Sequence, residues 1–194
     1  MAYDAKRKLC IVYGGFVADT AKSFKEGKGW VGKSVNETWT WNGIHWAQQK
    51  NDDSPGRYYH SVVYSKKEKA VLAFGGADFD TKKEVPGLWK WNGENWQQVN
   101  AEGPEARVFP ARAAAGSKLF VLSGSKYQKQ ETAYYDFWVF DNNAWARLET
   151  TGLPQLKEMK MVFDEHRKVL VVFGGSNDKG EMNGNTWELA LQKD

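Results

Sequence analysis

The sequence predicts an all-β fold assembled from four copies of one antiparallel unit, and three observations carry that prediction. Segments 1–15, 62–76 and 161–175, "MAYDAKRKLCIVYGG", "VVYSKKEKAVLAFGG" and "MVFDEHRKVLVVFGG", align without a gap. Each is a short apolar segment, a charged turn, a second apolar segment and a Gly pair. The tryptophans keep the same beat, with Trp39, Trp89, Trp138 and Trp187 spaced by 50, 49 and 49 residues. No segment shows the helical period, so strand-length elements on this repeat imply four-stranded antiparallel units.

Within each repeat the strands are read in order. An inner strand such as "HSVVYS" is followed by a nearly continuous apolar second strand: "LCIVY", "AVLAF", "LFVL" or "VLVVF". Such runs suit sheets covered on both faces. The third repeat carries the weakest copy, "RAAAGSKLFVLSGS" (112–125), with Ser123-Gly124 in place of the Gly pair. A third strand ("LWKWNG") and an outer fourth ("NWQQVN") complete the unit. The turns "WNGIHW", "WNGENW" and "FDNNAW" between them suit tight hairpins that need positive φ. They place Trp46, Trp96 and Trp145 seven positions after the first three tryptophans on the beat. The repeats run about 1–50, 51–100, 101–150 and 151–194, in a single domain covering 1–194.

The Gly pairs Gly14-Gly15, Gly75-Gly76 and Gly174-Gly175, the paired tryptophans, and "PGRYYHSVVYS" (55–65) carry a resemblance. Over essentially the whole chain they resemble the kelch family of β-propellers. The resemblance implies four blades packed face to face around a central axis. The Gly pairs are then expected where a strand ends against a neighbouring blade. Trp89 and Trp96 are expected to wedge between blades, and Trp91 is placed on the opposite side of the sheet from Trp89. The first repeat begins inside its inner strand and the last stops where its outer tryptophan would fall, so the first and last blades are expected to be incomplete. A small closed four-bladed propeller is the favoured form. The alternative is a fragment of a larger six- or seven-bladed propeller, which would expose a wide apolar blade face and self-associate rather than remain a monomer.

Composition narrows the function classes. A net charge of +3, with lysines spread along the chain beside acids, argues against a nucleic-acid or anionic-membrane partner. Cys10 is the only cysteine, which excludes an internal disulfide and a cysteine-rich zinc site. In "LCIVYGG" it reads as a small buried hydrophobe. No apolar run approaches the roughly 18 residues of a membrane span, and the first fifteen residues do not read as a signal peptide. The expectation is a soluble chain, cytoplasmic as given, or secreted if a signal peptide has been removed.

Binding residues concentrate on loops held by a rigid frame. On the face carrying the long connections, 16–38 is the outlier, about twice the length of its counterparts, with Phe16, Phe24 and Trp30 among lysines. Trp30 is off the fifty-residue beat, so it is the first ligand candidate. Arg57, Tyr58 and His60 lead into an inner strand, and Arg107 matches Arg57 in the next repeat. One reading makes the arginines partners of backbone carbonyls around the axis. The other makes them a carboxylate or phosphate site walled by Tyr58, Phe79, Tyr127 and Tyr134.

No catalytic set is expected, and no metal or cofactor. His45, His60 and His166 fall on a short hairpin, an inner strand and an opposite-face turn. The copper and iron sites of some kelch-type enzymes need ligand sets that these residues do not supply. The acids of "GGADFDTKKE" and "GGSNDKGEMN" read as solvated loop carboxylates rather than a calcium loop. The resemblance therefore implies a non-enzymatic binding or scaffold module that presents aromatic and basic loops to a protein or peptide. A carbohydrate-binding propeller is the alternative, and a galactose-oxidase-like or other kelch-type enzyme comes third.

Overall fold

The computed structural model describes residues 1–20, 31–50, 54–128, 132–149 and 151–191. The first blade comprises β1 (Ala2–Asp4), β2 (Leu9–Tyr13), β5 (Thr38–Trp41) and β6 (Trp46–Gln48), ordered β1-β2-β5-β6. A two-stranded ribbon, β3 (Phe16–Ala18) with β4 (Gly32–Ser34), sits in its β2–β5 connection. The second blade orders β7 (Tyr58–Ser65), β8 (Ala70–Asp78), β10 (Leu88–Trp91) and β11 (Trp96–Val99), and β9 (Lys83–Glu84) pairs with the end of β8. The third is β12 (Ala111–Ala115), β13 (Lys118–Leu122), β14 (Phe137–Asp141) and β15 (Ala144–Leu148). The fourth is β16 (Lys160–Asp164), β17 (Val169–Phe173) and β18 (Thr186–Ala190).

The inner strands β1, β7, β12 and β16 stand in succession, each against the next. Between the first two blades Ile11 and Tyr13 meet Val62, Val71, Trp91 and Trp96. Leu72, Phe74 and Leu88 then meet Leu119, Val121 and Phe140, and Phe120 and Phe137 meet Met161, Leu170 and Val172. The second strands β8 and β13 are thus covered on both faces, which accounts for their unbroken apolar runs, whereas β2 and β17 are covered on one. A Gly pair closes the first two of these contacts. A Cβ on Gly75 would lie 2.5 Å from Arg107 O of the next blade, while Gly76 N donates to that same carbonyl at 2.7 Å. Gly14 and Gly15 repeat the arrangement against Arg57 O.

Three expectations change. The first blade holds all four strands, and only the fourth has three among the described residues. Trp89 and Trp91 share a face, because residues two apart on a strand point the same way; Lys90 is the one that turns to the other side. Trp91 and Trp96 are the fully packed indoles, at 1% and 6% exposure, whereas Trp89 is half-buried. Finally, the outer faces of the first and fourth blades do not cover each other. Tyr3 and Trp46 on one, and Val162 and Phe173 on the other, are exposed. The four blades form an arc with two free faces, the form expected of the alternative reading, a fragment of a larger kelch propeller, rather than of the closed small ring. Cys10 lies on the free face of the first blade and is half-buried.

Candidate functional site

The loop-bearing face holds one aromatic cleft of about 830 Å³, lined by Phe16, Tyr58, Tyr59, Phe79, Lys82, Tyr127 and Gln128. Its size is that of a small-ligand or side-chain pocket. Three repeats supply it. Phe16 opens β3, Tyr58 and Tyr59 open β7, Phe79 and Lys82 follow β8, and Tyr127 and Gln128 lie in the connection between β13 and β14. The rings brace one another: Phe16 stands 4.8 Å from Phe79 and 5.6 Å from Tyr58, and Tyr58 stands 5.7 Å from Tyr127 between centroids.

Polar contacts fix the walls. Ser34 Oγ donates to Asp78, and Phe79 N donates to Ser34 Oγ at 3.1 Å, tying the β3–β4 ribbon to the end of β8. Burial alone would raise the Asp78 carboxyl pKa; hydrogen bonds from Ser34 and Thr81 outweigh it and hold the value below the ordinary range. Tyr127 N donates to Glu84 Oε1 at 2.7 Å. The Tyr58 and Tyr127 hydroxyls bond to each other. Burial, then that bond, pushes the Tyr58 phenol up, so it stays neutral at physiological pH. Lys82 Nζ lies 3.1 Å from the centroid of the Phe79 ring and is the cation of the cleft.

Tyr59 is held with φ at 59°, a conformation costing about 1–2 kcal/mol for a residue with a Cβ. Phe109 (53°) and Glu158 (61°) occupy the same repeat position in the next two blades. The arrangement brings the Tyr59 ring to 4.3 Å from both Tyr58 and Phe109 and leaves it 45% exposed at the lip of the cleft.

Of the sequence-predicted residues, Tyr58, Phe79 and Tyr127 meet in this cleft, and Trp30 lies outside the described residues. The arginines are turned into the blades. Arg107 is fully buried, donates to Ser123 O (3.2 Å) and Glu105 O (2.9 Å), and forms a two-point pair with Asp136. Tyr134 lies beneath Arg107 (4.2 Å), and burial and its bond to Glu105 raise its phenol pKa to about 12. Arg57 is equally buried, donates to Gly75 O (3.2 Å) and packs over Tyr13 and Trp89. His60 stands edge-on to Tyr13, and burial, then the Arg57 charge, lowers its pKa to about 3. An arginine site for an external anion is therefore not what the packing forms; these groups serve the frame. Sequence reasoning missed Tyr59, Lys82 and Gln128 as lining residues. Among the described residues no three His, Cys, Asp or Glu side chains gather as a metal site.

The family model described as KLHDC2/KLHL20/DRC7 Kelch-repeats domain matches residues 2–194. The chain belongs to the kelch-repeat family. Kelch-repeat domains generally mediate protein–protein interaction. No curated protein matches this kelch chain. Among solved structures it is similar to one described as "Structure of YjhT", with a TM-score of 0.67 and 13% identity over 87% of its length. The kelch chain spans about half, 56%, of that protein's length, and the likeness concerns the fold.

Proposed function

We propose that the chain is a non-enzymatic binding module whose aromatic cleft takes an apolar side chain from a protein or peptide partner, with Lys82 meeting a neighbouring carboxylate. The observation that carries this reading is the cleft's composition. Five aromatic rings line it, the Tyr58 and Tyr127 hydroxyls are engaged with each other, and among the described residues the Tyr59 hydroxyl, Lys82 Nζ and the Gln128 amide are the remaining polar side-chain groups of the lining. A sugar ring presents hydroxyls on every edge and needs more partners than these. An aromatic or branched aliphatic side chain needs apolar walls and little else. Among the described residues the lining contains no carboxylate, imidazole or thiol to act as base or nucleophile, which supports binding over catalysis.

Panning a random peptide library on the folded chain tests the proposal. Enriched sequences should carry a large apolar residue next to Asp or Glu, and Phe79→Ala or Lys82→Glu should reduce their binding at least tenfold. Peptides that bind Phe79→Ala and Lys82→Glu as well as the parent would overturn the reading. A glycan-array signal abolished by Phe79→Ala, with no peptide enriched, would replace it with the carbohydrate alternative.

A further inference from the structure

The two free blade faces match each other residue by residue, and the contact between the first and second blades is the template. There Tyr13 stacks on Trp96 at 4.2 Å, and Trp96 Nε1 donates to Thr38 Oγ1 at 2.8 Å. Arg7, braced by Asp4, lies 5.5 Å from the Trp91 centroid, occupies the space above Gly93 and donates to Lys69 O at 3.1 Å.

Strand register identifies the equivalent positions at the ends. On the fourth blade Arg167, Phe173 and Thr186 stand where Arg7, Tyr13 and Thr38 stand on the first. Asp164 braces Arg167 through the same turn in which Asp4 braces Arg7. On the first blade Trp41, Gly43 and Trp46 stand where Trp91, Gly93 and Trp96 stand on the second. The difference is occupancy. The space a Cβ would take at Gly93 is filled by Arg7, while at Gly43 nothing among the described residues lies within 4 Å. Trp96 is 6% exposed, whereas Trp46 is 50% and Phe173 is 53% exposed.

The set is specific to the ends. The second blade has Glu68 at the arginine position and Leu88 at the threonine position; the third has a shorter turn and Phe137. Only the fourth blade repeats the Arg and Thr of the first, and only the first repeats the indoles and turn glycine of the second.

We propose that the free face of the fourth blade docks on the free face of the first blade of a second copy. Phe173 then stacks on Trp46, Trp46 Nε1 donates to Thr186, and Arg167 covers Trp41 above Gly43. Two such head-to-tail contacts close a ring of two copies. Such a contact buries both apolar faces and continues the internal blade-to-blade interface.

Sedimentation velocity of the purified chain from nanomolar to high micromolar concentration tests this. The expected species has twice the mass of one chain. Trp46→Glu and Phe173→Glu should each weaken it at least a hundredfold, while Val17→Glu, an equally exposed apolar site on the β3–β4 ribbon, should not. Mixing Trp46→Glu with Phe173→Glu leaves one intact pair of faces and should restore a two-copy species that neither variant forms alone. A single-chain mass at every concentration, association unaffected by the two glutamates, or no recovery on mixing would each overturn the proposal. Circular dichroism matching the parent shows that the variants remain folded.

Discussion

Trp96 and Trp46 occupy the same position in successive repeats, so truncating each to alanine isolates the effect of a neighbouring blade. Both pair across a hairpin with another indole, Trp91 and Trp41 respectively. Trp96 is enclosed, stacked on Tyr13 and hydrogen-bonded to Thr38. Its removal should cost about 3–5 kcal/mol, of which roughly 1 is the lost hydrogen bond. Trp46 keeps half its surface in water. A fully buried indole removes about 200 Å² from solvent, worth about 5 kcal/mol at 25 cal/mol per Å². Half of that, reduced because the unfolded chain is itself partly compact, gives about 2 kcal/mol or less for Trp46→Ala. Urea unfolding followed by circular dichroism, at a concentration where the chain is a single copy, reads both as midpoint shifts at constant slope. Equal shifts for the two variants, or a larger one for Trp46→Ala, would refute the assignment of one face as packed and the other as free.

Two further outcomes follow from the frame. His60 titrates at about 3 when folded, against 6.5 for an unperturbed imidazole, because burial and Arg57 oppose its charge. The unfolded chain therefore takes up this proton first; the stabilisation is complete above about pH 6.5 and is lost progressively as pH falls toward 3. His60→Gln should flatten that part of the stability profile relative to the parent, and an unchanged difference between pH 7 and pH 4 would count against it. Gly75→Ala and Gly174→Ala both place a methyl at φ +71°, but the first meets Arg107 O at 2.5 Å and the second only Asn183 O at 3.5 Å. Each should lose about 1–2 kcal/mol from backbone strain, and Gly75→Ala a further 1–3 from the clash, measurable as a difference in melting temperature.

The architecture was legible because each repeat marks its geometry with residues few others can replace. The Gly pairs recur where backbone meets backbone, and the Asn-Gly turns recur where φ is positive. The cleft was legible only in part. Tyr58, Phe79 and Tyr127 sit on connections that the repeat assigns to one face. Tyr59 gave no composition signal, since its exposure depends on a left-handed backbone shared by repeat position with Phe109 and Glu158, three residues of unlike chemistry. Lys82 was one lysine in a solvated run until its turn placed it over Phe79. The arginines misled for a converse reason: an Arg beside tyrosines resembles an anion clamp, while Gly75 O, Ser123 O and the Asp136 carboxylate that take them up lie 16 or more residues away, which no local pattern exposes. The faces of the end blades were hidden by their likeness to the packed ones. Trp46 and Trp96 look the same in sequence, and only the presence or absence of a neighbour separates them.

The two buried arginines also differ in a way that sequence equivalence conceals, and replacing each by methionine should bring it out. Arg107 faces Asp136, whose carboxyl lies below the ordinary range: burial would raise it, and the Arg107 and Trp138 bonds overcome that effect. The matching register position in the second blade is Gly87, so Arg57 has no such carboxylate; its Nε and Nη2 lack hydrogen-bond partners among the described residues. Burial lowers the Arg57 pKa, offset in part by the adjacent Tyr13. Arg107→Met leaves Asp136 without its counter-charge and should cost about 3–5 kcal/mol. It should also reduce the loss of stability below about pH 4 that a depressed carboxylate confers, since that contribution is present above the unfolded value and disappears as pH falls through the folded one. Arg57→Met removes a charge whose desolvation is poorly compensated and keeps an unbranched stem against Tyr13 and Trp89, so its stability should stay within about 1 kcal/mol of the parent or exceed it. Chemical unfolding of the two variants at pH 7 decides the matter. Equal losses would mean that Arg57 is as well paired as Arg107, and the contrast drawn from Gly87 and Asp136 would fail.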